Sequence, residues 1–406
     1  MNNQEQKNRN LAWAEDFFEK LEKKLSVMTI RARDIIPSSA GLNKAYFDTR
    51  PCCWTSGFWG GLNVLMYERT GNENYLLTAK SSEKRQDEVF SNFELLHHDV
   101  GFMWHILSGA LYRLTGDAQS KNRALSAAAS LFSRFIFGGN FIRAWNDGNA
   151  KLWGRPVDNW TIIDCMMNLP LLYWASEVIG DDRFKRIAMA HADNTLKCHV
   201  RSDGSVRHIV EHDRETGELV DEIGGQGYGV GSSWSRGQAW AIYGFVLSYI
   251  HTVEKRYLDA AQKISDYFID CCKEDWLVRT DFRAPKELVY YDTSAASCAC
   301  CGFLELAKIL PPEEGKKYAD AAEKILFKIA ERFVDLNPEN DLLVTYAMER
   351  YPVPNVQVSL EGARKTLIYG DFFFVEAMLK LLGSEFNPWV ATPYTKAGKA
   401  FEEKID

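Results

Sequence analysis

Short turn signals recur along this chain of 406 residues, and each lies between two segments of helical periodicity. The five turns are TGNENY (70–75), TGDAQ (115–119), IGDDRF (179–184), VEKRY (253–257) and PPEEGKKY (311–318). The segment before each turn is apolar; Met103, Ile106 and Ala110, for example, keep the i, i+3/i+4 spacing of one buried helical face. The segment after each turn is a charged, amphipathic helix suited to an outer layer. The repeating unit is therefore a helical hairpin.

Two further helical segments indicate how the chain closes. The apolar segment 371–382 has no hairpin partner after it, and the amphipathic segment 11–30 has none before it. Pairing these two completes six hairpins. An open solenoid of helix pairs is the alternative, but solenoid repeats have a nearly constant length, whereas these turns are unequally spaced. We therefore predict an all-α (α/α)6 toroid, a single domain over residues 1–406, with sheet limited to short hairpins in the long loops.

Composition restricts the partners and the location. The chain carries 48 Lys and Arg against 55 Asp and Glu, without a basic run, which argues against nucleic acid as a partner. Its charge-free runs are too short and too polar to span a membrane, and its N-terminus lacks the pattern of a signal peptide. We expect a cytoplasmic protein, or a periplasmic one if a signal peptide has been removed, and a monomer or weak homo-oligomer.

The nine cysteines do not have the spacing of a metal site. Seven of them stand in adjacent groups, at Cys52/Cys53, Cys271/Cys272 and Cys298/Cys300/Cys301. Neighbouring cysteines rarely pair, and no Cys/His quartet is present. We therefore predict neither a disulfide framework nor a metal site, and we expect no cofactor.

Unusual residues gather at the ends of the hairpins opposite the turns. Each inner helix begins there, in a loop that is rich in Trp, His, Asp and Arg. The tryptophans predicted at this rim are Trp54, Trp59, Trp145, Trp160, Trp234 and Trp240. Aromatic rings beside polar groups commonly line ligand clefts, and the apolar face of a sugar ring would fit them.

Arg236 stands at an unusual position for a cation. Ser235 and Gln238 have the Ser-x-x-Gln spacing of a capping box, which predicts that a helix begins at Ser235. Arg236 would then lie beside unpaired backbone N–H groups and the positive end of the helix dipole, a place that suits an anion. A guanidinium there indicates binding to a carboxylate, either of a ligand or of a protein side chain.

Two acids near the starts of inner helices are candidates for proton transfer. Asp99 precedes an apolar helix, so a plain N-cap is its alternative role. Asp164 is enclosed by Ile, Cys and Met residues, and a carboxyl group in apolar surroundings is costly when charged, as suits a general acid. His98 and His208 are candidate partners, each equally compatible with a structural role. Asp292 is expected to be a helix cap.

Five motifs resemble one known family. They are HHDVGF, IIDCMMNLPLLYWAS, SSWSRGQAWAIYGF, DTSAASCACCGFLEL and YGDFFFVEAMLKL. In this order, and from about residue 54 to 382, they resemble the unsaturated glucuronyl hydrolases of glycoside hydrolase family 88. The fold that this resemblance implies is an (α/α)6 toroid, in agreement with the hairpin pattern.

The resemblance implies a particular reaction and a set of site residues. Such enzymes release the 4,5-unsaturated uronic acid that polysaccharide lyases leave at the non-reducing end of oligosaccharides, glycosaminoglycan disaccharides among them. They do so by hydrating its vinyl ether rather than by displacing the anomeric group with paired carboxylates. By motif position, Asp164 would be the acid/base and Asp99 its partner. The substrate-binding residues would be Trp54, Trp145, His208, Gln226, Arg236 and Trp240, to which we add His98 beside Asp99. The stretch 229–231 lacks the acidic residue of many relatives, which leaves substrate preference open.

Three other functions are compatible with parts of the pattern. Unsaturated rhamnogalacturonyl hydrolases of family 105 share the fold and the chemistry, although IIDCMMN and RGQAW are closer to family 88. An epimerase of the N-acyl-glucosamine type uses the same toroid but needs two opposed histidines, which His98 and His208 would have to supply. A non-catalytic sugar-binding toroid would keep the aromatic residues but has no reason to bury Asp164.

Overall fold

The computed structural model describes residues 3–146, 154–287, 289–352 and 365–390, with side chains from Leu11 onward. The end of the FIRAWNDG segment and the outer limits of the predicted domain lie outside these residues, and the single-domain organisation stays a prediction.

In the described part of the chain, six helical stretches form an inner wall and six form an outer wall. The inner helices, buried on nearly every side, are Ser56–Thr70 (α2), Val100–Trp104 with Ala110–Thr115 (α4 and α5, joined by a π-helical turn at His105–Gly109), Leu169–Ile179 (α7), Ser235–Thr252 (α9), Thr293–Ile309 (α11) and Ile368–Leu381 (α13). The outer helices, each buried on one face, are Asn3–Arg31 (α1), Glu73–Gln86 (α3), Ala118–Phe132 (α6), Arg183–Cys198 (α8), Lys255–Cys272 (α10) and Pro312–Arg332 (α12).

The first and last helices close the ring. Phe372 of α13 packs edge-on against Phe58 of α2, with ring centroids 5.4 Å apart. Phe17 of α1 packs against Phe374 of α13 at 6.0 Å, so the N-terminal helix covers the last inner helix from outside. The predicted pairing of the two chain ends is confirmed, and with it the two-walled (α/α)6 ring.

The hairpin turns are local structures that the sequence specifies directly. Gly71, Gly116 and Gly180 end inner helices with φ near +70°, a conformation that glycine adopts without steric cost. Asn72 and Asp117 then cap the following outer helices, because each side chain accepts a hydrogen bond from the backbone N–H two residues on.

Sheet in the described residues is limited to short antiparallel strands in the loops, as predicted. The strands are Pro37–Ala40 (β1), Tyr46–Asp48 (β2), Phe135–Ile136 (β3), Phe141–Ile142 (β4), Trp160–Ile162 (β5), Ile209–His212 (β6), Leu219–Ile223 (β7) and Thr366–Leu367 (β8). They form three sheets, in the orders β2-β1-β8, β3-β4 and β5-β6-β7. The third sheet matters most for the site, because it joins two loops at the ends of inner-wall helices.

Trp389 packs inside the ring, between the inner helices. Its ring stacks on Phe373 with an interplanar angle of 2°, and its indole N–H donates to Glu376. Its carbonyl oxygen lies within hydrogen-bond distance of His105 and His251, from two different inner helices.

In the described ranges, no helix combines the length and the apolar composition needed to cross a membrane.

Inner helices approach one another closely at glycines, and Gly57 is the tightest example. A Cβ atom there would lie 2.2 Å from the Phe102 carbonyl oxygen and 2.3 Å from that of Met103, both backbone atoms that cannot rotate away. We expect Gly57→Ala to lower the free energy of unfolding by about 1–3 kcal/mol through overpacking, as measured by urea denaturation. Gly41→Ala is the control, because nothing lies within 4 Å of its added Cβ. Equal stability of the two variants would contradict this account of the packing.

Candidate active site

A cavity of about 700 Å³ opens at the end of the ring where the inner helices begin. Thr55 at the start of α2 and Tyr369 in the first turn of α13 contribute to its wall, together with the loop residues Gln226, Glu349 and Arg350. Tyr369, Glu349 and Arg350 were not among the predicted site residues. Tyr369 belongs to the recognised YGDFFF motif, whereas the pattern around residues 349–350 contains no signal that would have found them.

The tryptophans predicted at the rim divide into two groups. Trp54 and Trp145 line the cavity. The other four, at most 2% exposed, are Trp59, Trp160, Trp234 and Trp240. Trp240 packs against Phe102 and Phe373, with ring centroids 5.2 and 5.4 Å away, and so lies behind the cavity wall. The expectation that all six tryptophans line the rim is wrong, because contacts within the protein cover the other four. Trp160, for example, packs with Val157 and Ile209 in a small apolar cluster of the loops, and Trp234 packs against His208 with ring centroids 4.4 Å apart. Contact of Trp240 with a substrate stays a prediction.

Pairing of β5 with β6 brings Asp164 and His208 together. Ile162 pairs with Ile209, so Asp164, just after β5, and His208, just before β6, lie at the same end of the antiparallel pair. His208 Nε2 is 3.5 Å from Asp164 Oδ2, and both side chains are nearly buried. His208 lines the cavity, and Asp164 reaches the cavity wall through this contact with His208.

The hydrogen bonds of His208 determine where its proton lies. The backbone N–H of Gln226 donates to His208 Nδ1 at 3.0 Å, so the neutral ring carries its proton on Nε2, the atom that faces Asp164. Asp164 Oδ2 and His208 Nε2 are buried and make no hydrogen bond with any described residue. A buried carboxylate oxygen without a partner is rare, and this one lies beside His208 of the cavity wall, which marks it as a site for a proton or a ligand.

Asp99 lies among polar side chains, of which Asn168 hydrogen-bonds its carboxylate. His97 Nδ1 and His98 Nε2 lie 3.2 and 3.4 Å from Asp99 Oδ2, and Asn168 Nδ2 donates to Asp99 Oδ1 at 3.3 Å. Burial acts to raise the pKa of Asp99, but His98, His97 and Asn168 favour its charged form, and the balance lowers this pKa. Burial lowers the pKa of His98 to about 4, so its ring is neutral at pH 7.

Asp99 does not act as a helix cap, although it occupies the N-cap position of α4. Its side chain makes no capping hydrogen bond. Asn168, from the start of α7, accepts instead from the N–H of Phe102 at 2.8 Å. The alternative role of Asp99 as a plain N-cap is therefore excluded. Asn168 was missed, although it ends the polar-then-apolar DNWTIIDCMMN segment just before an inner helix.

The helix start at Ser235 is correct, but its predicted capping box is wrong. Ser235 Oγ donates to the backbone carbonyl of Thr280, and Gln238 Nε2 donates to Ser233 Oγ. Neither side chain bonds to the helix terminus, because Trp234 occupies the N-cap position and Ser235 is already the first helical residue.

Arg236 is held inside the protein. Its guanidinium forms an ion pair with Asp292 at 2.7 Å and donates to the backbone carbonyls of Met348 and Glu349. Asp292 also caps α11, as predicted, by accepting from the N–H of Ser294. The expectation that Arg236 binds a carboxylate is thus met by a protein side chain, and its contact with a substrate carboxylate stays a prediction.

The chemistry that this arrangement supports is proton transfer. Asp164, Asp99, His98 and His208 form one cluster, which meets the cavity at His208, and Trp54, Trp145 and Gln226 form other parts of the cavity wall. Across the described ranges, no group of three or more His, Cys, Asp and Glu side chains is placed to hold a metal ion. The expectation that the reaction needs no cofactor stays a prediction.

Comparison with known proteins identifies the family. The family model of Glycosyl Hydrolase Family 88 matches residues 31–355. The unsaturated glucuronyl hydrolase of Bacillus sp. (strain GL1) is 34% identical over 336 residues, covering 81% of this chain and 86% of that protein. The unsaturated chondroitin disaccharide hydrolase of Streptococcus pyogenes serotype M1 is 31% identical over 354 residues, covering 83% and 82%. The crystal structure of the Bacillus sp. GL1 unsaturated glucuronyl hydrolase superposes with a TM-score of 0.82 at 30% identity, covering 90% of this chain and 96% of that one. The chain therefore belongs to Glycosyl Hydrolase Family 88.

Proposed function

We propose that this glycosidase releases the 4,5-unsaturated uronic acid from the non-reducing end of lyase-generated oligosaccharides, glycosaminoglycan disaccharides among them. The observation that carries the proposal is the unpaired, buried Oδ2 atom of Asp164, which lies 3.5 Å from His208 in the wall of an aromatic-lined cavity. The names of the two relatives, an unsaturated glucuronyl hydrolase and an unsaturated chondroitin disaccharide hydrolase, support it.

Asp164 would act as both acid and base. Its carboxyl proton adds to carbon 4 of the double bond, and the positive charge that develops at carbon 5 is shared with the ring oxygen. Water then attacks carbon 5 and gives a proton to the Asp164 carboxylate, which restores the acid. The resulting hemiketal opens by breaking the bond between carbon 5 and the ring oxygen, which gives a ketone at carbon 5 and a hydroxyl on carbon 1. This hemiacetal at carbon 1 then breaks down to an aldehyde and releases the remaining sugar with the hydroxyl proton. His208 Nε2–H, 3.5 Å from Asp164 Oδ2, would stabilise the carboxylate between the two proton transfers.

Asp99 would serve as the charged partner of Asp164. The groups around Asp99 favour its ionised form, so Asp99 would remain a carboxylate and leave the proton transfers to Asp164. His98, neutral and fully buried beside Asp99, would support this carboxylate rather than take the proton.

The cavity wall would hold the sugar. Trp54 and Trp145 present aromatic surface, and an apolar sugar face binds well to such rings. Gln226 and His208 supply polar contacts to the ring hydroxyls and the carboxylate. Arg236 would bind the substrate carboxylate by exchanging it for one of its backbone carbonyl partners while Asp292 keeps its charge paired.

Several expectations complete the proposal. The reaction needs an acid/base and water but no metal or organic cofactor. Nucleic acid is not a partner, and the protein acts as a monomer or weak homo-oligomer. We propose a cytoplasmic location, or a periplasmic one if a signal peptide has been removed.

A panel of unsaturated disaccharides tests the function directly. We expect the protein to remove the ultraviolet absorbance of the conjugated double bond in disaccharides from chondroitin, hyaluronan or heparin, faster than in those from pectin, because its motifs are those of glucuronyl hydrolases. Mass spectrometry should show one added water and the freed second sugar. Preference for the pectin-derived substrate would favour a rhamnogalacturonyl hydrolase. Substrate binding without loss of absorbance would contradict the hydrolase and favour a sugar-binding protein.

A further inference from the structure

We infer that Asn168 is a positioning residue that holds the Asp99 carboxylate against the segment carrying Asp164, an inference that rests on the proposed function. Asn168 is fully buried and directly follows the 3-10 turn Ile163–Met167, which contains Asp164. Its Nδ2 donates to Asp99 Oδ1 and to the backbone carbonyl of Asp164, both at 3.3 Å. A single amide group therefore contacts both acid-bearing segments.

The other end of the amide determines its orientation. Asn168 Oδ1 accepts from the N–H of Phe102, the third residue of α4, at 2.8 Å. An N-cap side chain normally accepts this hydrogen bond, and Asp99 occupies the N-cap position. Because a neighbouring helix supplies the cap, the Asp99 carboxylate stays free of the helix terminus, and the Asn168 NH₂ group must face the acids.

Gly101 permits this close approach. A Cβ atom at Gly101 would lie 2.6 Å from Asn168 Oδ1 and 2.7 Å from its Cα, so no other residue fits without moving Asn168. This glycine lies in the HHDVGF motif, and its need for space is independent of the hydrogen bonds. The hydrogen bond to Phe102 and the absence of a Cβ atom at Gly101 both indicate that α4 and Asn168 must lie close together.

The amide also influences the charge of Asp99. Among the groups near Asp99, burial raises its pKa, whereas His98, His97 and Asn168 lower it. The other titratable or charged groups in this region are Asp164, Cys165 and Arg134. Since a donor to a carboxylate stabilises the ionised form, loss of the Asn168 NH₂ group should raise the pKa of Asp99.

The variant Asn168→Asp tests this role. It keeps the size of the side chain and an acceptor for Phe102 but replaces the donor with a second acceptor. We expect kcat to fall about tenfold or more with little change in KM, and the acid limb of the kcat profile to move up by about one pH unit, because the Asp99 carboxylate loses a hydrogen-bond donor and gains a second carboxyl group beside it. A merely structural residue would lower stability without moving that limb, and an unmoved limb would overturn the inference.

Two controls make the result decisive. Asn63→Asp makes the same exchange at a buried amide that bonds Trp59 and Thr29, away from the acids, and should leave the pH profile unchanged. In an Asp99→Asn background, Asn168→Ala, which adds no titratable group, should cause no further pH shift, whereas an additional shift would contradict action through Asp99. If Asn168→Asp does not fold, Asn168→Ala receives the same measurements.

Failure of the proposed function remains distinguishable. An inactive wild-type protein would refute the hydrolase itself. Titration of the Asp99 carboxyl carbon by NMR needs no substrate, and it should still give a higher pKa in the Asn168 variant than in the wild type. An unchanged Asp99 pKa would overturn the inference alone.

Discussion

Replacing Asp164 with Asn is expected to reduce turnover by roughly 10²–10⁴-fold while fold and substrate binding are preserved. The amide can neither give a proton to carbon 4 nor take one from water, although it has nearly the shape of the carboxyl group. Because the side chain is nearly buried beside His208, the neutral amide should not disturb the surrounding packing. The rate is measured by loss of the ultraviolet absorbance of the unsaturated disaccharide, and binding by calorimetry.

Asp117→Asn is the matched control for this result. Asp117 caps α6 at the opposite end of the hairpins, and Asn caps a helix about as well as Asp. This variant should therefore keep both stability and turnover. A folded Asp164→Asn protein with a near wild-type rate would refute the mechanism, and Asp99 would then be the first candidate for the acid.

Removal of Asp292 is expected to lower the free energy of unfolding by about 3–5 kcal/mol, because it leaves a buried charge unpaired. The Arg236 side chain is 1% exposed, and the Asp292 side chain is fully buried. The guanidinium and the carboxylate lie 2.7 Å apart. Asp292→Ala also removes the cap of α11, which adds to the loss. Denaturation by urea measures the change.

A surface ion pair provides the comparison. Arg123 and Asp87 also lie in direct contact, at 2.6 Å, but the Asp87 side chain is 45% exposed. Asp87→Ala should therefore lower the free energy of unfolding by only about 0–1 kcal/mol. If Asp292→Ala lowered the free energy of unfolding no more than Asp87→Ala does, the buried ion pair would not be what holds α9 and α11 together at the cavity. Should Asp292→Ala fail to fold, Asp292→Asn, which keeps a capping oxygen, replaces it in the same comparison.

The fold could be predicted from the sequence because its repeating unit is local. A turn such as TGDAQ contains both the glycine that ends one helix and the residue that caps the next, and the structure confirms both at Gly116 and Asp117. The apolar helix before such a turn and the amphipathic helix after it define the inner and outer walls. Unequal spacing of the turns then favoured a ring over a solenoid.

The candidate site could be predicted only in part. Its acids were recognisable because Asp164 stands in an apolar run and Asp99 at a helix start. The burial of Trp240 and the roles of Asn168 and Gly101 could not be recognised from the sequence, because each depends on contacts with residues far away in the chain. The capping box at Ser235 failed because the N-cap position falls on Trp234, and Ser235 Oγ instead donates to Thr280 in a distant loop.

By itself, the sequence determined the elements: helix ends, hairpins, the order of walls and the residue types at the cavity end. These depend on interactions within a few residues, which a linear pattern records. The tertiary structure decided the partners: Arg236 with Asp292, His208 with Asp164, and Asn168 with both acid-bearing segments. Such pairings arise only when the ring closes and brings helix termini together, since burial forces each polar group to find a partner that its own segment does not supply.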